Sequence, residues 1–228
     1  MLGRNALGMT GPRRMPEMSG AFDGGLATVM TGLMHGTRVA STAGWRPVEA
    51  VAVGDKVLTF DEGMQTVVRV TRTPIWHDDV ACPRHIWPLE VPVGALGNRE
   101  LILLMPSQSI LIESDMAETM FGDPFALIPA LALDGVRGIC RVPPPSGAEA
   151  ITLHFEEEQV VFANSGAMFF CPPSCDILDS ALEGSSDPMY SVVPLDEARQ
   201  ITNCLNETAP KTGRSFWPNQ FLGVFTAT

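Results

Sequence analysis

Long apolar runs are missing from this chain. The longest, such as Leu101–Met105 and Phe125–Leu133, fall far short of the ~20 residues that cross a bilayer as a helix, and the second is interrupted by Pro129. No membrane partner is therefore expected. Basic side chains are also scarce, with 15 Lys and Arg against 26 Asp and Glu and a formal net charge of −11. The imbalance sits in residues 101–200, where three basic side chains stand among fifteen acidic ones. Nucleic-acid binding needs clustered Lys and Arg to neutralise phosphates, so the composition argues against that partner class.

Cysteine is too sparse for a disulfide framework: there are five in 228 residues. Cys171 and Cys175 make one close pair, while Cys82, Cys140 and Cys204 stand alone. A structural metal site takes four ligands, usually from two close pairs, and His35, His77, His85 and His154 do not supply the second. The thiols read as buried or surface residues, and no metal or cofactor is expected. The odd cysteine count points weakly to a reducing compartment. Arg13-Arg14 is followed by Pro16 and Glu17 where an export signal needs an apolar core. The missing signal favours the cytoplasm and leaves secretion by a nonstandard route open; the sequence does not settle localisation.

What is present is β pattern. An apolar fraction of 45% suffices for a packed core, and the length fits one large β domain with tails or a small appendage. Residues 1 to about 20 mix Gly, Pro, Met and Arg without periodicity and read as a flexible tail. Ala21–Leu33 is Gly-rich and fits an edge strand or a short helix. Thr37–Ser41 predicts a strand and Ala43-Gly44 a turn, after which Arg46–Val48 enters a loop closed by Gly54-Asp55. Lys56–Phe60 and Met64–Arg72 then pair as a hairpin across Asp61-Glu62-Gly63.

Thr73–Pro88 is a proline-rich loop holding Trp76, His77, His85 and Trp87. Strands are expected within Leu89–Leu96, Arg99–Met105 and Ile110–Glu113, followed by a short helix with Ser114 as its N-cap. Phe125–Ala132 reads as a buried segment. Gly138–Val142, Ala150–Phe155, Val160–Ala163 and Met168–Pro173 read as late strands, with the Glu156-Glu157-Glu158 run as a solvated hairpin tip. Leu195–Leu205 has helical spacing at Leu195, Ala198, Ile201 or Thr202, and Leu205. Phe216, Trp217 and Phe221 suggest a docked C-terminal end.

Three blocks carry a resemblance. GTRVAS and RPVEAVAVGDKVLT, with the DEG turn, span Gly36–Gly63; VGALG and RELILLM span Val93–Met105; VVFA spans Val160–Ala163. Together they resemble the Hint family of intein and hedgehog autoprocessing domains, in particular its bacterial members. The likeness covers about residues 32–170, with residues 1–31 as a flexible segment before it and 171–228 as an extension after it. It implies an all-β, horseshoe-like fold with short helices and a C-terminal appendage.

It also implies a reaction. A Cys, Ser or Thr side chain attacks the preceding carbonyl, turning an amide into a thioester or ester, and a histidine on a facing strand protonates the departing nitrogen. The family's cysteine stands four residues before Gly-Thr, which here is Gly32. The family's S-P-x-H, laid on Pro106–Ser109, puts Ser109 at the histidine, and two late histidines fall on Thr152 and Glu158. No cysteine precedes Cys82. Thr31 and Thr28 are the nearest hydroxyls, and His35 is a candidate relocated base, though a lone His beside a strand is more simply a surface or packing residue. His154, flanked by Leu153 and Phe155, is expected to face outward.

Three readings follow. The first is a Hint-fold module that lacks its processing residues and serves as a structural or interaction domain with a protein partner. The second is a self-cleaving domain using a nonstandard hydroxyl near residues 31–32. The third is an unrelated metal-dependent enzyme built on the Trp76–Trp87 loop.

Overall fold

Side chains along a strand point to opposite faces with a period of two. The strand Glu149–His154 alternates from Ile151 to His154, whereas Val39-Ala40, Val57-Leu58 and Val161-Phe162 are buried on both faces. The computed structural model describes residues 31–76, 81–164, 166–174 and 189–207. Among them are fourteen strands in two antiparallel sheets and two helices, the mainly-β architecture expected.

One sheet is built from β1 (Leu33–Met34), β6 (Arg69–Pro74), β7 (Leu89–Val91), β8 (Ile102–Leu104), β11 (Cys140–Arg141) and β12 (Glu149–His154). Its order is β11-β7-β8-β1-β12-β6. The other holds β2 (Arg38–Ser41), β3 (Gly44–Pro47), β4 (Lys56–Thr59), β5 (Gly63–Thr66), β9 (Ser109–Glu113), β10 (Phe125–Pro129), β13 (Gln159–Ala163) and β14 (Ala167–Cys171). Its order is β10-β9-β14-β13-β2-β4-β5, with β3 paired on β2.

The main core lies between the sheets. Leu33, Ile151 and Leu153 from the first sheet, with Phe155 just beyond β12, meet Val39, Val57, Ile110, Val161 and Phe169 from the second. The alternate residues of the second sheet, Ala40, Leu58, Leu111, Leu127, Val160, Phe162 and Met168, form a further apolar cluster of their own. Met34, Ile75, Met105 and Ala150 form a third.

Several expected segments take another form. Arg46 does not enter a loop, because Gly44–Pro47 returns along β2 as β3, the turn being held by the Ser41 hydroxyl. Met64–Arg72 is not one strand. The chain leaves the second sheet after Thr66, buries Val67 completely and joins the first sheet at Arg69. Both halves alternate, so the pattern runs unbroken across a change of sheet. Leu33–Met34 is not an edge strand either, since β1 lies between β8 and β12.

Helix α1 (Asp115–Phe121) is capped as expected: the Ser114 hydroxyl accepts from Met116 N at 3.2 Å, and Gly122 ends the helix at φ 78°. Helix α2 (Leu195–Glu207) packs against the 3-10 turn Ala130–Leu133 and β10. Ala198 and Ile201 enter the main core, and the Thr202 hydroxyl donates to Ala132 O at 2.9 Å. The expected docking of Phe216, Trp217 and Phe221, like the tail before Thr31, lies outside the described residues.

Phe169 is 1% exposed where the sheets meet, so Phe169→Ala should cost about 3–5 kcal/mol, read as a lower urea midpoint with an unchanged slope.

Candidate functional site

Gly32 stands immediately before β1, with its backbone pressed between β12 and the turn leading into β9. Its N–H donates to Gln108 Oε1 at 2.8 Å in a buried hydrogen bond. Gln108 is itself buried, and its Nε2 donates to Ser109 O at 2.9 Å and Phe170 O at 2.8 Å. Two carbonyls can only accept, so they fix the amide with its nitrogen toward them and its oxygen toward Gly32.

The other wall is β12. A β-carbon placed on Gly32 would lie 3.1 Å from Ala150 Cβ and 3.2 Å from Thr152 Oγ1. The backbone there has φ +114°, a conformation that side-chain-bearing residues rarely adopt. The pocket thus accepts a glycine and little more.

Gly32 and Thr152 are brought together; the contact from the third side comes from Gln108. Ser109, one residue later, is paired with Pro129 in β9 and β10. Sequence reasoning passed over Gln108, yet the signal was present. Laid proline on proline at Pro106, the S-P-x-H pattern ends on Gln108.

Thr31 is half-buried just before Gly32, and Thr28 lies outside the described residues. His35 is 67% exposed at the other end of β1, 3.4 Å from Glu49, whose second oxygen accepts from Gly36 N at 3.0 Å. It does not approach Gly32 through any of these contacts. Glu158 accepts from Tyr190 N at 3.1 Å.

His154 does not face freely outward. It is half-buried: Nδ1 lies 3.3 Å from Pro173 O and Nε2 lies 3.1 Å from Thr71 Oγ1. A carbonyl oxygen only accepts, so Nδ1 carries the hydrogen and Nε2 accepts from the Thr71 hydroxyl. Burial lowers the His154 pKa from its ordinary value of 6.5 and the Arg69 charge adds to this, against the opposing bond to Pro173. Cys171 is fully buried and its thiol is pushed up to about 12, while Cys175 lies outside the described residues.

In the Trp76–Trp87 loop, His77 is also outside the described residues. Trp87 Nε1 donates to Cys82 O at 2.9 Å, and the Arg84 guanidinium lies 5.8 Å from the centre of the Trp87 ring. Among the described residues no three His, Cys, Asp or Glu side chains gather to hold a metal ion.

Two antiparallel sheets, joined at the buried Gly32 through Gln108, make a mainly-β module. The chain belongs to the Hint domain family, whose model matches residues 31–168. Among solved structures it is similar to a bacterial intein-like domain from Clostridium thermocellum, at 12% identity and a TM-score of 0.45 over 62% of this chain and 98% of that one. It is also similar to the MchDnaB-1 intein (N145AA) at 15% identity and 0.38, over 62% and 99%, and to the gp41-1 intein at 13% and 0.36, over 62% and 97%. No curated protein matches the chain.

Two outcomes test this geometry. Gln108→Ala strands the buried Gly32 N–H and should cost about 1–3 kcal/mol in chemical denaturation. For His154, a native pKa below 6.5 means that the unfolded chain binds the proton more readily. The stability this contributes is complete above the ordinary value and is lost as pH falls through the lowered native one. Urea midpoints measured from neutral to mildly acidic pH should therefore fall less in His154→Gln than in the parent chain.

Proposed function

We propose that this chain is a Hint module that does not process itself and acts as a structural or interaction domain for a protein partner. Position 32 is the observation that carries the reading. The acyl shift needs a thiol or hydroxyl at the residue whose amide is attacked, and Gly32 has no side chain. Its φ of +114° and the nearness of Ala150 and Thr152 leave poor accommodation for one.

Gln108 supports the same reading from the other side. A group that protonates a departing nitrogen must donate to it, whereas Gln108 Oε1 accepts from Gly32 N–H. A carboxamide has no ionisation near neutral pH with which to act as an acid, and a hydrogen bond of this polarity favours the intact planar amide. The self-cleaving alternative keeps one supporting contact, the Thr152 hydroxyl beside Gly32, together with Thr31 just before it.

Intact-mass measurement of the purified full chain separates the two. After incubation with thiol and with hydroxylamine the full mass should persist; loss of a fragment of about thirty residues would overturn the reading. Gly32→Cys should fold less stably and still not cleave, because the new side chain enters a backbone conformation and a space suited to glycine.

A further inference from the structure

The second sheet carries an apolar cluster on the alternate residues that do not enter the main core, and a cleft opens at its rim. Its volume is about 350 Å³, and Phe60, Phe125, Tyr190, Met189, Asp61 and Asp123 are among the residues lining it. The Phe60 and Phe125 rings meet edge to face with centroids 5.0 Å apart, and Tyr190 stands against Phe170 at 6.0 Å. Tyr190 reaches the cleft on the segment after Met189, which lies along β10: Val192 bridges Leu127, and Val193 N donates to Leu127 O at 2.8 Å.

Charge sets the chemistry. Asp61 and Asp123 are exposed at the mouth, and none of the described residues lining it is basic. The Tyr190 hydroxyl bonds to Asp61, and its amide donates to Glu158 at 3.1 Å. The Tyr190 phenol titrates well above its ordinary range, first through burial and then through Asp61, with smaller contributions from Glu62 and Glu158. The field in the cleft is therefore negative.

We propose that this cleft binds a lysine or arginine side chain of a partner protein. Its aliphatic stem would lie against the aromatic rings, and its charge would meet the two carboxylates. Asp61 accepts from Tyr190 and Asp123 from Phe125 N at 2.9 Å, but each carboxylate keeps its charge. A neutral apolar group would desolvate that charge without pairing it, and an anionic one would be repelled. The lining carboxylates also do not gather as a metal site among the described residues. The proposal supplies a partner chemistry for the interaction module, yet the cleft shares no lining residue with the pocket at Gly32. Whether the chain cleaves itself and whether it binds a basic side chain are thus tested separately.

The experiment titrates the full chain into a fluorescein-labelled peptide containing arginine and leucine, followed by fluorescence polarisation, with a second peptide carrying glutamine for arginine. Expected are saturable binding, a roughly tenfold weaker Kd for the glutamine peptide, and weakening as salt rises through the screening range. Asp123→Asn and Asp61→Asn should each weaken binding several-fold; the second retains a hydrogen-bonding partner for Tyr190. Phe125→Leu should also weaken it while keeping an apolar side chain. Glu100→Gln, on an exposed loop between β7 and β8, should change nothing. The proposal is overturned by absence of binding, by equal affinity for the two peptides, or by a loss in Glu100→Gln matching that in the aspartate variants.

Discussion

One buried side-chain amide ties the two sheets together. Gln108 accepts from the backbone at the start of β1 in the first sheet and donates to the carbonyls of Ser109 and Phe170 in the second. Both amide hydrogens and one side of its oxygen are used, so the side chain has a single orientation that satisfies its surroundings. Apolar packing between the sheets is far larger in total but has no direction. The Gln108 bonds supply direction, fixing where the chain enters β1 and hence which residues of β12 it faces. A buried amide of this kind is worth little in net energy when satisfied and costs more when half of it is broken.

On the reading we propose, that constraint falls on the peptide unit where a processing member of the family would do its chemistry. Self-processing has to weaken an amide that the fold otherwise holds still, and so it needs a nucleophile in reach and a proton donor aimed at nitrogen. Here the nearest side chains are a methyl from Ala150, a hydroxyl from Thr152 and a carboxamide oxygen that takes the amide's own hydrogen. Each of these fits a peptide bond at rest. Our reading of the chain as a non-processing module rests on Gly32, and that polarity adds what a missing side chain does not tell, namely what the neighbours favour.

The sheet residues were legible because local alternation and turn chemistry encode them. Ser114 and Gly122 bracket α1 in the sequence as they do in the fold, and the all-apolar VVFA segment is a strand buried on both faces, Val161 and Ala163 in the main core and Val160 and Phe162 in the second cluster. Long-range geometry was not legible. The strand pattern of Met64–Arg72 continues through Val67 while the chain changes sheets, because alternation reports a face and not a partner. His154 lies on the strand face opposite its apolar neighbours, as period two requires, yet the segment at Pro173 closes over it. The difference between Gln108 and Ser109 is one residue of register, and in a strand one residue exchanges the buried face for the other.

The second sheet also has two apolar faces, which a hairpin pattern read strand by strand does not reveal. Val39 and Ala40, Val57 and Leu58, Val161 and Phe162 are successive residues that are all buried, so these strands are covered on both sides. One side is closed by the first sheet. On the other, Phe60, Phe125, Phe170 and Tyr190 are only partly buried, and the carboxylates of Asp61 and Asp123 stand beside them at the cleft. The residues of the main core between the sheets are therefore separate from those lining the cleft, whereas Gln108 both ties the sheets together and walls the Gly32 pocket. A substitution confined to the exposed Asp61 and Asp123 at the cleft therefore leaves the main core untouched, whereas one at Gly32 or Gln108 disturbs the contact that joins the sheets.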